Sequence, residues 1–374
     1  MRNARTIAAG WLLLASGLAA QSPPVTVRAL PAEPLIERDG DGQRLNFDFS
    51  LENGGTTPLA LERIDLSVFD RADRLVHRQF IWAKGAASPG LLTIPERTIP
   101  AGSSLSVFNP FYHLPSHLEL ARLRYDFVFE TRGIEPTRSV GLEVTPKLAE
   151  TVPLVLPTDG PTLVYDGHDY YSHHRRIPLG GELAKRVGIS RNPVRYANDL
   201  TPVGPRGELS KGALADPTAW YAYGAVVRAP AAGVVVWAAD DVPDNRIDGG
   251  ELIVPDEVGA DPIKSALGNH LVIRHGPRTY SVLAHLRAGT VTPAVGDSVR
   301  QGERVAEIGF SGDTGFHVHL HQMLVTEAKL DTEGLPSYFD GVRRVALPLG
   351  PAGAAGPAQD RVRLDTGDIV QSAR

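Results

Sequence analysis

Leu45, Phe47, Phe49 and Leu51 alternate with Asn46, Asp48 and Ser50, the period-two pattern of a strand with one face in a core and the other in water. Asn53-Gly54-Gly55 follows as a turn. Ile64, Leu66 and Val68 repeat the alternation, Leu105 and Val107 form a shorter segment, and Leu123, Tyr125, Phe127 and Phe129 give the strongest pattern. Turn-separated strands of this kind predict an immunoglobulin-like β-sandwich over residues 25–148, read as a spacer or binding module. Prolines at 146, 153, 157 and 161 then break the pattern and mark a boundary. The second unit, residues 160–345, has strand candidates at 226–229, 233–238, 270–274, 281–285, 304–308 and 317–324. Residues 346–374 read as a linker and tail, because the run from Pro351 to Pro357 is mostly glycine and alanine.

Composition sharpens this β-rich picture. The 374 residues include 38 glycines and 30 prolines, which disfavours long helices. There is no cysteine, so disulfides, thiolate metal sites and a cysteine nucleophile are all excluded. Any metal must be held by His, Asp or Glu. Residues 1–20 read as a secretory signal: Arg2 and Arg5, an apolar stretch from Ile7 to Leu18, then Ala19 and Ala20. The apolar run is shorter than the roughly 20 residues a spanning helix needs, so no membrane span is expected. Its removal takes away two arginines and no acids, moving the formal charge from −5 to −7. That balance argues against a nucleic-acid partner. An exported chain without cysteine suits a bacterial protein, secreted or periplasmic.

Chemistry concentrates in the second unit, which holds nine of the twelve histidines, all between 168 and 321. In the run Phe316-His317-Val318-His319-Leu320-His321-Gln322, strand geometry puts the three histidines on one face and Val318 and Leu320 on the other. Gly309, Gly312 and Gly315 precede it and permit close backbone approach at a strand mouth. Upstream lie Ala229-Pro230-Ala231-Ala232-Gly233-Val234-Val235, Gly268-Asn269-His270 through His275-Gly276, Tyr280-Ser281-Val282-Leu283-Ala284-His285-Leu286, and Val295-Gly296-Asp297-Ser298-Val299.

This ordered series resembles the lysostaphin-type (LytM-like) zinc metallopeptidases, peptidoglycan endopeptidases with a duplicated hybrid motif fold, over about residues 168–345. The resemblance implies an antiparallel β-sheet peptidase domain after the sandwich, one Zn2+, and hydrolysis of peptide bonds in peptidoglycan stem peptides or cross-bridges. It also implies His174, Asp199 and His319 as metal ligands, with His173 as the alternative first ligand, and His285 and His317 as catalytic imidazoles. Which of the two is the base stays open. His168, His270, His275 and His321 are left as structural or groove-lining. Three departures stand out: 25 residues separate His174 from Asp199, which requires an inserted loop, Phe316 stands where a proline is usual, and Leu283 where a tyrosine is usual. Competing readings are a catalytically impaired module that binds cell wall or activates another hydrolase, and a cupin-type oxygenase built on His317, His319 and Glu327. The acid-rich stretch 240–251 does not reproduce a calcium-loop spacing and reads as a solvated hairpin.

Overall fold

The computed structural model describes residues 25–373 except 41, 84–93, 95, 132–133, 259–260 and 349–355. The predicted signal segment and most of the glycine–alanine run therefore lie outside the described residues. Among the described residues, no helix is long and apolar enough to cross a membrane.

The alternating segments of the first unit form strands, and their apolar faces meet in one core. A three-stranded sheet (Val25–Leu30, Asp48–Asn53, Ser104–Phe108) faces the sheet ordered Ile134–Val144, Arg122–Thr131, Leu59–Phe69, Leu75–Trp82. Phe49, Leu51 and Val107 from the first pack against Ile64, Leu66, Val68, Tyr125, Phe127 and Phe129 from the second. Edge-to-face contacts at 4.9 Å join Phe49 to both Tyr125 and Phe127. A third small sheet (Leu35–Asp39, Gly42–Leu45, His113–Leu114, Lys147–Leu148) closes the side turned toward the second unit. The expected continuous strand through residues 45–51 is broken at Asn46–Phe47, where the chain passes from one sheet to another.

The second unit is built on one antiparallel sheet. Its order is Ser298–Val299, Gly233–Ala239, Asn269–Gly276, Thr279–Leu286, Leu320–Val325, Asn198–Pro202, Thr162–Asp166, Ile369–Ser372, Val342–Arg344. The six predicted strands are present, two of them (Val226–Arg228 and Arg304–Glu307) as a separate two-stranded sheet; the last begins at Leu320, and His317–His319 precede it, with a bend at His317. Arg246–Asp248 and Glu251–Ile253 form the predicted hairpin. The expected tail is a correction. Ile369–Ser372 pairs inside the main sheet, and Val362, Leu364 and Val370 join its core, because apolar side chains at these positions complete a face that would otherwise be wet.

Truncating Phe127 to Ala removes a fully buried ring from the first core and is expected to lower stability by about 3–5 kcal/mol, read from denaturant unfolding of the full chain.

Candidate metal centre

Strand register assembles the site. Asp199 lies opposite His321 on one side and opposite Asp166 on the other, and His321 lies opposite Ala284, the neighbour of His285. Val318 and Leu320 point into the core, which turns His317, His319 and His321 together toward Asp199.

The Asp199 carboxylate is the centre of the cluster. Its Oδ1 is 3.5 Å from His174 Nε2, 3.3 Å from His319 Nε2 and 3.0 Å from His321 Nδ1, and its Oδ2 is 3.5 Å from His317 Nε2. Burial alone would raise its pKa, but His174, His319 and His317 outweigh that and hold it well below the carboxylate range. The 25-residue separation is thus bridged in space. His174 is buried and its Nδ1 meets Asp166 Oδ2 at 2.9 Å, which leaves Nε2 aimed at Asp199. His173 reaches the same Asp166 oxygen at 3.0 Å, but its side chain is 66% exposed. The hydrogen bond to Asp166 outweighs burial and raises the His173 pKa.

His285 is fixed by different means. Its backbone sits in the left-handed region at φ 63°, and its Nδ1 donates to the Ser311 carbonyl at 2.9 Å. Gly309 and Gly312 make this possible, since a Cβ on either would collide with backbone, at 2.5 Å from Arg287 Cα and 2.4 Å from Gly268 N. Burial, then the neighbouring His319 and His321, push the His285 pKa well down and favour the neutral ring. His319 likewise spends Nδ1 on a carbonyl, that of His317, at 3.1 Å, and its ring lies 4.8 Å edge-on from His285. His317 is stacked between Tyr165 (4.0 Å) and His319 (4.1 Å), and burial lowers its pKa.

Of the residues expected from the sequence, His174, His317 and His319 lie within 3.5 Å of Asp199, His285 stands against His319 and His321, and His173 reaches only Asp166 and the His174 ring; two that were not expected join them. His321, expected as structural or groove-lining, is the first. It is buried, with Nε2 lacking a partner, and burial brings its pKa down to about 4. Asp166 carried no motif; its only signal was its place in a strand running up to the histidine pair. Of the groups that bring one ligand atom each within 4.8 Å of one another, the one joining His174 to Asp199 is closed by His321, while Asp199, His317 and His319 form another. His168, His270 and His275 are structural, against Glu37, the Gly268 carbonyl, and the Ala232 carbonyl with Ser281. Glu327 pairs with Arg191 and Lys329, so the carboxylate the oxygenase reading needs is engaged elsewhere.

The donor set suits zinc. Oδ1 separations of 3.0–3.5 Å from the imidazole nitrogens are close to the edge of a tetrahedron with metal bonds of about 2.1 Å, roughly 3.4 Å. Nitrogen and carboxylate donors are also those zinc takes when thiolates are absent.

Residues 219–331 match the family model described as peptidase family M23. The chain carries an M23 peptidase domain. The match takes in His285, His317, His319 and His321 and stops short of His174 and Asp199, which the preceding segment supplies. No curated protein matches the chain. Among solved structures, the M23 domain and its surroundings are similar to a zinc-containing peptidase from Vibrio cholerae (13% identity, 78% of this chain, 81% of that one, TM-score 0.24). The catalytic domain of the prophage-encoded M23 protein EnpA from Enterococcus faecalis is 17% identical over 34% of this chain and 80% of its own, at TM-score 0.20. Csd3 from Helicobacter pylori is 11% identical over 89% of this chain and 73% of its own, at TM-score 0.24.

Asp166→Asn is expected to weaken divalent-metal binding roughly 10- to 100-fold by releasing His174 Nδ1, measured by competition with a chelating indicator. Unchanged affinity would show that other contacts orient the ring.

Proposed function

We propose that the M23 domain is a zinc-dependent endopeptidase that cleaves peptide bonds in peptidoglycan stem peptides or cross-bridges after export from a bacterial cell. One observation carries the reading: a buried carboxylate and two imidazoles from distant segments, His174, Asp199 and His321, converge beside a second pair of imidazoles, His285 and His319. The family match supports peptidase chemistry, and residues 1–20 support export. Retention of every donor type supports a working enzyme over an impaired cell-wall-binding module.

His174 through Nε2, Asp199 through Oδ1 and His321 through Nδ1 would hold the ion. Zinc bound there supplies a Lewis acid and brings the pKa of a bound water toward about 7. His285 and His319 perform the proton transfers. Each has Nδ1 committed to a backbone carbonyl, so Nε2 is the working atom of both rings. His285, neutral because it is buried, accepts the water proton at Nε2. The proton that His285 has gained then passes to the leaving amine, with His319, its ring 4.8 Å away, as the second imidazole that can carry it through Nε2. His317 stacks beneath exposed Tyr165 at the edge of the site, and exposed Phe316 stands next to it, giving the groove an aromatic rim.

This places the closing His-x-His at His319 and His321, two residues later than the expected His317 and His319. The group of Asp199 with His317 and His319 favours the earlier register, and substitution separates the two. His321→Ala is expected to abolish both zinc binding and hydrolysis, whereas His319→Ala keeps zinc, measured by metal analysis of purified protein. Loss of zinc from His319→Ala with retention in His321→Ala would restore the earlier register. His285→Ala should keep its zinc and slow peptidoglycan hydrolysis by roughly 10²- to 10⁴-fold. Chelation should abolish activity and added Zn2+ restore it; a chain that takes up no zinc and leaves peptidoglycan intact would sink the enzyme reading.

A further inference from the structure

The metal-ligand segments do not rest on the M23 sheet alone. The chain from Asp166 to Asn198 leaves the sheet, carries His173 and His174 and the short helix Glu182–Val187, and returns at Asp199, and along this excursion it is packed on the first unit. Arg175, adjacent to His174, is fully buried. Its Nε donates to Asn46 Oδ1 at 2.8 Å and its guanidinium lies 4.6 Å above the Tyr170 ring, which itself stacks on Tyr112 at 4.5 Å. On the returning arm, Tyr196 donates its hydroxyl to the Asn46 carbonyl at 3.3 Å. Arg195, also fully buried, pairs with Asp48 at 2.7 Å and Glu333 at 2.7 Å and donates to the Leu30 carbonyl. Asn46 is anchored in turn by its Nδ2, which donates to buried Glu37 at 2.6 Å.

One residue of the first unit, Asn46, thus holds the neighbour of the first ligand through its side chain and the arm leading to Asp199 through its backbone. These are polar groups in a dry interface, so each depends on its partner for satisfaction and the arrangement has little freedom to shift. The family match begins at residue 219, so neither arm belongs to the part of the chain that the family model describes.

We propose that the N-terminal unit is a positioning scaffold for the metal centre, with Asn46 as the hub that sets the spacing between the His174 and Asp199 arms. The inference rests on the metal reading above, but its mechanical core is independent of whether a metal binds. Asn46→Ala in the full chain is expected to lower Zn2+ affinity at least tenfold and to raise amide hydrogen exchange selectively in residues 168–176 and 195–199. Tyr196→Phe, which deletes one hydrogen bond and no charge, should show the same pattern at two- to fivefold. Phe127→Leu destabilises the same unit without touching either arm, and should lower the thermal midpoint while leaving both readouts at the values of the unaltered chain. Unchanged exchange of the two arms in Asn46→Ala and Tyr196→Phe would overturn the proposal, as would an equal loss of affinity in Phe127→Leu. An unaltered chain that binds no Zn2+ refutes the metal reading, and the exchange comparison still decides the scaffold.

Discussion

A carboxylate with almost no exposure to water is the constraint from which the rest of this molecule follows. Asp199 is 1% exposed, and a charge so placed is tolerated only if its surroundings supply hydrogen bonds and positive potential in place of water. Four imidazoles do so, each within 3.5 Å. The same proximity works in reverse on the rings. Burial drives His285, His317 and His321 toward the neutral form against the pull of Asp199, and neutral imidazole is the form that can ligate a cation or accept a proton. A divalent cation at this point would offset the carboxylate charge and use imidazole lone pairs at once.

The same physics operates a few residues away. Arg195 is wholly buried, and two carboxylates outweigh the desolvation that would otherwise lower its pKa. Arg175 has no acidic partner at hydrogen-bond distance among its described contacts and relies on an amide oxygen, a carbonyl and an aromatic face. These two cations stand on the two arms that carry His174 and Asp199, Arg175 next to His174 and Arg195 four residues before Asp199. The unit that reads in sequence as a spacer or binding module is, in the folded chain, packed against both arms through Asn46 and Asp48.

How much of this was legible follows from which interactions are local. The alternation at Leu123, Tyr125, Phe127 and Phe129 predicted a buried face, and all four are fully buried, because a strand assigns its two faces by parity alone. Parity also correctly turned His317, His319 and His321 to one side, even though the hydrogen-bonded strand starts only at Leu320. Parity failed at Asn46 and Asp48. Both were expected in water and both are buried, since a second unit covers that face and its arginines find their partners there. Sequence periodicity cannot register a surface that another part of the chain will cover.

The sequence by itself determined the β-rich class, the absence of thiolate chemistry, and a short list of histidines with one distant aspartate, because residue type and spacing are local properties. Only the tertiary structure decided which members of that list meet. His321 enters the centre because cross-strand register sets it opposite Asp199; Asp166 enters because its strand pairs on the other side; the C-terminal segment becomes a strand because it pairs with Thr162–Asp166 on one side and Val342–Arg344 on the other. Register and closure depend on contacts between residues far apart in the chain, and no pattern within a short window contains them.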